Sequence, residues 1–299
     1  MKVIFATDGS SSAKAAARLL RQFKVDGKLN LVLLTVSMNP ELTVHGNIQN
    51  PDWEGQQRNF VRDLHDELND YFASQSVELS KLHKTGNAAQ EILSVSKSNV
   101  ADLIVMGAMG HSMLSRLLLG SVSDTVATNA KCSVLVVRPK NDVAPTTGFP
   151  KKIIVAYDGS AASQAAVHEL LTVKWAEGSE VSIVMVAPTN DYLMGDGLNA
   201  GLIANDAKAL KSLRAKGEKV SKQLSARIPN TQVRVIQGSH VGDTITSFAE
   251  QNKSELIILG DTGHSQLDEL FLGSTTKYVL RYAPCSVWIS RYHRAAAEV

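Results

Sequence analysis

The stretch "KVIFATDGSSSAKAAARLL", residues 2–20, joins a short apolar run to an alanine-rich segment through the turn sequence Asp-Gly-Ser. A continuous apolar run is typical of a strand that is buried on both faces, as in a parallel sheet. Ser10 and the two serines after it stand where a helix N-cap is expected. Residues 2–20 therefore predict a strand–turn–helix unit, the building block of an α/β fold.

The same unit occurs again 150 residues later, as "KIIVAYDGSAASQAAVHEL" at 152–170. Two further pairs of segments match in the same order, both at an offset of 153. They are 101–112 with 254–265, and 129–139 with 282–292. A long repeat that keeps its order indicates two duplicated domains, because a solenoid would have a much shorter period.

The two copies are separated by "RPKNDVAPTTGFP", residues 138–150, which contains three prolines and few large apolar residues. Such a composition is typical of an exposed linker. We therefore predict domain 1 at 1–140, a linker at 141–150 and domain 2 at 151–293.

Strand and helix patterns alternate through each copy, which predicts an α/β fold with a doubly wound parallel sheet in each domain. Ligands of such sheets bind beyond the carboxyl ends of the strands, where the strand order reverses. The segment 188–206 shows no comparable pattern and predicts a flap or a disordered connection. In domain 1 the strands are predicted at 3–6, 30–36, 77–82, 102–107 and 133–137, and the later helices at 60–72, 88–98 and 121–130.

Composition restricts the class of protein. Lys and Arg total 31 and Asp and Glu total 29, a formal net charge of +2 that argues against broad nucleic-acid binding. The two cysteines, Cys132 and Cys285, are too few for a disulfide framework or a four-cysteine zinc site, and we expect small buried thiols. No signal peptide or membrane span is recognisable, so we expect a cytoplasmic protein without a membrane partner.

A glycine-containing frame follows the fourth strand of each copy: "GAMGHSMLSRLLLGS" at 107–121 and "GDTGHSQLDELFLGS" at 260–274. Gly110 and Gly120 lack a Cβ, so we expect positive φ angles and close approach of the backbone to a ligand. The helix after Gly120 offers free N–H groups to a phosphate. An alternative is that the glycines only form turns and Ser121 only caps the helix. Hydroxyl donors stand at this helix start in both copies: Ser121 and Ser123, then Ser274, Thr275 and Thr276.

These frames, the Asp-Gly-Ser turns and the closing "CSVLVV" and "CSVWIS" strands together resemble the universal stress protein family. The frames match the pattern G-x2-G-x9-G-[S/T] of its nucleotide-binding branch. The resemblance implies two tandem Rossmann-like domains of the adenine nucleotide alpha hydrolase type, each a five-stranded parallel sheet with helices on both faces. It also implies that the two fifth strands pair with one another within the chain, and it leaves room for a further homodimer.

The resemblance also implies which residues bind an adenine nucleotide. Ala6, Val36, Ala156 and Val186 would approach the base through backbone, and Asp8 and Asp158 would lie near the ribose or a phosphate-bound metal ion. Thr7 corresponds to Tyr157, a larger side chain, which leaves open whether both sites bind equally. The residues that would surround the phosphates are Gly107, Met109, Gly110, His111, Gly120, Ser121 and Val122 in domain 1, and Gly260, Thr262, Gly263, His264, Gly273, Ser274 and Thr275 in domain 2.

The implied function is a stress-response regulatory module that binds ATP in each half, with Mg²⁺ as the accompanying ion. Hydrolysis would be slow, because the sequence offers no recognisable general base or arginine finger, and we assign no catalytic residue and no protein metal centre. Three alternatives stay open. They are an ATPase or nucleotidyl-transfer enzyme that uses Asp8 or His111, an interaction protein without bound nucleotide, and a binder of AMP or cyclic AMP.

Overall fold

The structure is a computed structural model that describes residues 1–38, 53–75, 77–110, 119–139, 149–188, 200–262 and 272–292. The chain divides into two compact units, Met1–Thr147 and Gly148–Val299, called unit 1 and unit 2. Most of the predicted linker, 141–148, lies outside the described residues.

Unit 1 is an α/β unit in which every neighbouring pair of strands is parallel. The strand order is β3-β2-β1-β4-β5. The α/β fold is therefore confirmed for this unit. Its elements are β1 (Lys2–Ala6), α1 (Ser11–Leu20), β2 (Leu29–Ser37), α2 (Trp53–Phe72), β3 (Val77–Thr85), α3 (Ala88–Ser98), β4 (Leu103–Gly107), α4 (Ser121–Asn129) and β5 (Ser133–Val137).

Unit 2 repeats this plan with parallel strands in the order β8-β7-β6-β9-β10. α6 begins at Ala200, so the last part of the segment 188–206 is helical and is not a disordered connection. Residues 189–199 lie outside the described residues, and the flap alternative stays a prediction. The elements are β6 (Lys152–Ala156), α5 (Ala161–Thr172), β7 (Glu180–Pro188), α6 (Ala200–Ser225), β8 (Asn230–Gly238), α7 (Val241–Gln251), β9 (Leu256–Gly260), α8 (Ser274–Tyr282) and β10 (Ser286–Ser290).

The strand order fixes where a ligand crevice can form. Right-handed crossovers place α1 and α2 on one face of the unit 1 sheet and α3 and α4 on the other. The packing agrees, because α3 contacts α4, and in unit 2 α5 contacts α6 and α7 contacts α8. β2 and β3 are added on one side of β1, and β4 and β5 on its other side. A crevice therefore opens between the carboxyl ends of β1 and β4.

The fifth strands are completely buried. All five residues of β5 and of β10 are buried, and Trp288 in β10 has no exposed surface. Cys285 is buried as expected, whereas Cys132 is only half-buried. The pairing of the two strands with one another, and a further homodimer, stay predictions.

A buried polar cluster joins α2 to the edge of the unit 1 sheet. Nε2 of His65 lies 3.0 Å from Oγ1 of Thr35, and Nε2 of His83 lies 2.8 Å from Oγ of Ser37. Burial, helped by the nearby His83 and Lys81, lowers the pKa of His65 below its ordinary value of 6.5. Burial also lowers the pKa of His83. Both imidazoles are therefore held in the neutral form more firmly than in an unfolded chain.

This cluster predicts that acid destabilises unit 1. Below a pH of about 6.5 the unfolded histidines bind protons that the folded ones resist, so the free energy of unfolding falls as the pH falls. The melting temperature is expected to be flat near pH 7.5 and to decline towards pH 5.5. His83→Gln should flatten that decline, whereas His168→Gln, which removes an exposed imidazole from α5, should leave it in place. Equal slopes in wild type and His83→Gln would contradict this assignment.

Candidate functional site

The Asp-Gly-Ser turn connects β1 to α1 through a left-handed glycine. Gly9 has φ 78°, which glycine adopts without strain. Oδ1 of Asp8 accepts a hydrogen bond of 3.0 Å from the backbone N–H of Ser10, and Oγ of Ser10 accepts one of 3.3 Å from Ala13 at the helix start. The predicted N-cap is therefore confirmed at Ser10. Oδ1 of Asp8 thus stabilises the turn, and the same residue lines the crevice.

Unit 2 builds the same turn. Gly159 has φ 85°, and Oδ1 of Asp158 accepts a hydrogen bond of 2.9 Å from the N–H of Ser160. Ser160 in turn caps α5 by accepting a bond from Ser163. Asp8 is half-buried whereas Asp158 is exposed. The two turns thus have the same backbone conformation and differ in how exposed their Asp side chains are.

The first glycine of each frame serves helix packing. A Cβ on Gly107 would lie 2.6 Å from Cβ of Ser12 and 2.8 Å from the backbone N of Ala13. A Cβ on Gly260 would lie 2.6 Å from the carbonyl carbon of Ala162. A Cβ essentially never lies this close to a non-bonded heavy atom. The helices α1 and α5 can therefore lie against the strand ends only because glycine is there.

The ends of each frame are held together by one backbone hydrogen bond. The N–H of Gly120 donates to the carbonyl of Ala108 at 2.8 Å, and the N–H of Gly273 donates to the carbonyl of Asp261 at the same distance. The bond therefore recurs in both units. The frame residues at 111–118 and 263–271, which include His111, Gly263 and His264, lie outside the described residues.

The prediction of positive φ for the frame glycines is wrong. Gly110 has no positive φ, Gly120 has φ −68° and ψ 148°, and Gly273 has φ −58°. These values suit any residue, so the lack of a Cβ matters here only for space. The capping alternative is also wrong, because Gly120 is the N-cap of α4 and Ser121 is the first helical residue. Within the part of the chain that the structure describes, no side chain caps α4 or α8.

The hydroxyls of Ser123 and Thr276 are engaged within the fold. Oγ of Ser123 donates to the carbonyl of Gly107 at 2.9 Å, and Oγ1 of Thr276 donates to the carbonyl of Gly260 at 2.8 Å. A hydroxyl has a single hydrogen to donate. These two side chains therefore fasten the helix to the strand end, and this corrects their assignment as phosphate donors. Ser121 and Ser274, by contrast, are exposed at the helix starts.

A cavity of about 180 Å³ opens at the carboxyl ends of β1, β2 and β4. One side of it is apolar, and the other carries the carboxylate of Asp8, the frame backbone and the start of α4. The structure thus brings together all the predicted unit 1 residues that it describes. The lining residues are Ala6, Thr7, Asp8, Leu34, Val36, Ala88, Ile92, Met106, Gly107, Met109, Gly110, Gly120, Ser121, Val122 and Ser123.

Gly110 brings the frame against the Asp-Gly-Ser turn. A Cβ on Gly110 would lie 2.8 Å from Oδ2 of Asp8, the carboxylate oxygen that the turn does not use. Ser10 strengthens the same junction, since its hydroxyl lies 3.3 Å from the carbonyl of Met109. A side chain at position 110 would displace the carboxylate, so glycine keeps this oxygen at the crevice.

The apolar side of the cavity was only partly predicted. Sequence reasoning identified Ala6 and Val36 but missed Leu34, Met106 and the pair Ala88 and Ile92. Leu34 precedes Val36 by two positions and so shares its face of β2. Ala88 and Ile92 are four residues apart at the start of α3, and such a pair shares one face of a helix.

Tyr157, the large replacement for Thr7, is anchored to helices. Its hydroxyl donates to Oε1 of Gln164 in α5 at 3.1 Å, and Gln164 reaches Gln223 in α6. Burial and the nearby Asp158 carboxylate raise the pKa of the Tyr157 phenol. The predicted unit 2 residues Ala156, Val186, Thr262 and Thr275 lie at or near the strand and helix ends that correspond to the unit 1 cavity.

Among the described residues, no helix is both long and apolar enough to cross a membrane. No group of three or more His, Cys, Asp or Glu side chains in that part of the chain is placed to hold a metal ion.

Comparison with known proteins identifies relatives. A universal stress protein of Mycobacterium bovis is 26% identical over 195 residues, which make up 65% of this chain and 63% of that protein. The match therefore spans less than two thirds of that relative. A universal stress protein of Methanocaldococcus jannaschii is 32% identical over 145 residues, which make up 46% of this chain and 81% of that protein.

Solved structures support the fold. A universal stress protein of Archaeoglobus fulgidus superposes with a TM-score of 0.65 and 21% identity, over 97% of this chain and 96% of that one. A model described as the universal stress protein family matches residues 1–138 and again residues 150–291. With one match over most of each unit, the chain belongs to the universal stress protein family and carries two of its domains in tandem.

Proposed function

We propose that this universal stress protein binds an adenine nucleotide, ATP above all, at the unit 1 cavity and at the corresponding place in unit 2. The observation that carries the proposal is the two-sided cavity of unit 1, apolar at one side and bordered by an uncapped helix start at the other. The protein would act as a cytoplasmic regulatory module in a stress response.

The apolar side suits a flat base. Val36 and Leu34 come from β2, Ala6 from β1 and Ile92 from α3, so three elements enclose the space. Ligand sites are commonly apolar with a few fixed polar groups that orient the ligand. The backbone at the end of β1 offers such groups, although the N–H of Thr7 itself already donates to the carbonyl of Leu34.

The opposite side suits phosphate. The first N–H groups of α4 have no partner within the helix, and the helix dipole adds positive potential there. Gly110 and Gly120 both line the cavity, and the lack of a Cβ lets the frame backbone lie close to Asp8 and to Ala108 there. One carboxylate, Asp8, would contact a Mg²⁺ ion that is otherwise held by phosphates and water, a usual arrangement for this ion. The ion would neutralise phosphate charge.

A bulky side chain at the cavity wall tests the proposal. Ala88 is the first residue of α3 and is half-buried, so Ala88→Trp fills the cavity with little disturbance of the core. We expect the affinity of unit 1 for ATP to fall by about tenfold or more, measured by calorimetric titration. Gln90→Trp is the matched control, because Gln90 is exposed on the same helix and does not line the cavity.

Two results would reject the proposal. One is the absence of ATP, ADP and AMP binding by the wild-type chain at millimolar nucleotide. The other is equal loss of binding in Ala88→Trp and Gln90→Trp, which would make the effect unrelated to the cavity.

Asp8→Asn addresses the enzymatic alternative, because a loss of hydrolysis with intact binding would favour an ATPase.

A further inference from the structure

The duplication allows the two Asp-Gly-Ser turns to be compared atom by atom. Over Gly9 lie an aromatic carbon of Phe60 at 3.3 Å and the methyls of Leu64 at 3.6 Å, measured from an ideal Cβ. Over Gly159 the atoms within 4 Å are Cδ and Nζ of Lys216, each at 3.7 Å. The covering group is therefore apolar in unit 1 and cationic in unit 2.

Lys216 occupies the place that Leu64 has in unit 1. The core positions of α2 and α6 match at an offset of 152, with the buried Leu68 and Phe72 corresponding to the buried Val220 and Leu224. At that offset Leu64 corresponds to Lys216. Lys216 is exposed, and its stem lies along the turn.

The whole helix above the second turn is basic. α6 contains six Lys or Arg residues and two acidic ones, whereas α2 contains two Arg residues and five acidic ones. The turn beneath Lys216 contains Asp158, which is exposed, and precedes α5, whose N-terminus is also positive. The two turns share the carboxylate and the helix start, so the difference between them is the basic helix α6 and its Lys216.

We propose that Lys216 makes the unit 2 site discriminate more strongly than the unit 1 site in favour of nucleotides with more phosphoryl groups. The inference rests on the proposed function, since it assumes a nucleotide at both sites. Attraction to a fixed cation grows with the charge of the phosphate chain, so ATP gains more than AMP. Phe60 and Leu64 give no such gain. Water and salt screen an exposed cation, so the effect is moderate.

The experiment measures nucleotide affinity at one site while the other site is closed. Ala88→Trp closes site 1, and Val241→Trp, at the corresponding first residue of α7, closes site 2. Titration with AMP and with ATP then gives the ratio of the two dissociation constants at each open site. We expect the ratio Kd(AMP)/Kd(ATP) to be about fivefold larger at site 2 at low salt, and to shrink as NaCl is added.

Charge variants assign the effect to Lys216. In the Ala88→Trp chain, Lys216→Leu should lower the ratio to that of site 1. In the Val241→Trp chain, Phe60→Lys should raise the ratio at site 1, and it changes an exposed side chain, so the core is spared. Lys219→Leu is the control, because it removes the same charge from α6 one turn away and should change the ratio by less than about twofold.

Three other outcomes would count against the proposal. Equal ratios at the two sites, or equal effects of Lys216→Leu and Lys219→Leu, would overturn the role of Lys216 while leaving nucleotide binding intact. Binding at site 1 with none at site 2 would also overturn it, since the second site would hold no nucleotide. If neither AMP nor ATP binds the unsubstituted chain, the proposed function itself fails.

Discussion

Gly107→Ala is expected to destabilise unit 1 by about 3 kcal/mol, although it adds a single methyl group. The new Cβ would meet Cβ of Ser12 at 2.6 Å and the backbone N of Ala13 at 2.8 Å. Backbone atoms cannot rotate away as the end of a long side chain can, and the start of α1 is fixed by its N-cap. The helix must therefore shift away from β4. Thermal and urea unfolding would measure the loss.

Gly120→Ala is the matched control from the same frame. Its Cβ would meet the carbonyl oxygen of Ala108 at 3.2 Å, and its backbone angles suit alanine. We expect it to cost less than about 1 kcal/mol and to lower nucleotide affinity instead. Gly260→Ala should behave like Gly107→Ala in unit 2. Equal stability of Gly107→Ala and Gly120→Ala would show that α1 can move without cost.

Asp261→Ala is expected to destabilise unit 2 by about 3–5 kcal/mol. Asp261 has no exposed surface and Arg291 is 2% exposed, with Oδ2 of the carboxylate 3.5 Å from Nε of the guanidinium. Removing the carboxylate takes this counter-charge away from a cation that stays buried, and breaking one side of a buried ion pair is strongly destabilising. The bond from Thr262 to Oδ1 of Asp261 is lost as well.

The double variant Asp261→Ala with Arg291→Met separates charge from packing. When both charges are removed, neither member of the pair is left buried without the other, and replacing a buried pair by apolar groups is often neutral. We therefore expect most of the stability to return, measured by the same unfolding experiments. Unit 1 has Ala108 in place of Asp261. If the double variant were as unstable as the single one, lost packing would be the main cause.

The three glycines of the unit 1 frame have separate tasks, and the spacing alone did not separate them. Gly107 allows helix packing, Gly110 admits the Asp8 carboxylate, and Gly120 forms the N-cap of a helix without a side-chain cap. The sequence predicted one shared task, close approach to a ligand with positive φ. Among the described glycines of the Asp-Gly-Ser turns and the two frames, Gly9 and Gly159 have the left-handed conformation.

Helix α2 shows a similar limit. Its apolar residues recur at helical spacing from Phe60 onward, and Val61, Leu64 and Leu68 are buried. Phe60 is 49% exposed and lies over Gly9 instead. Periodicity states which residues share a helical face, but the neighbouring loop decides how much of that face is covered.

The sequence by itself determined the duplication, the α/β class, the order of strands and helices and the family of this protein. These follow from local patterns, since apolar runs, turn residues and caps act within a few positions along the chain. Tertiary structure alone decided that Ser123 and Thr276 bond to strand ends, that Ile92 faces the cavity and that Lys216 covers the second turn. These contacts join residues from 16 to 86 positions apart, and their distances depend on how whole helices pack against the sheet.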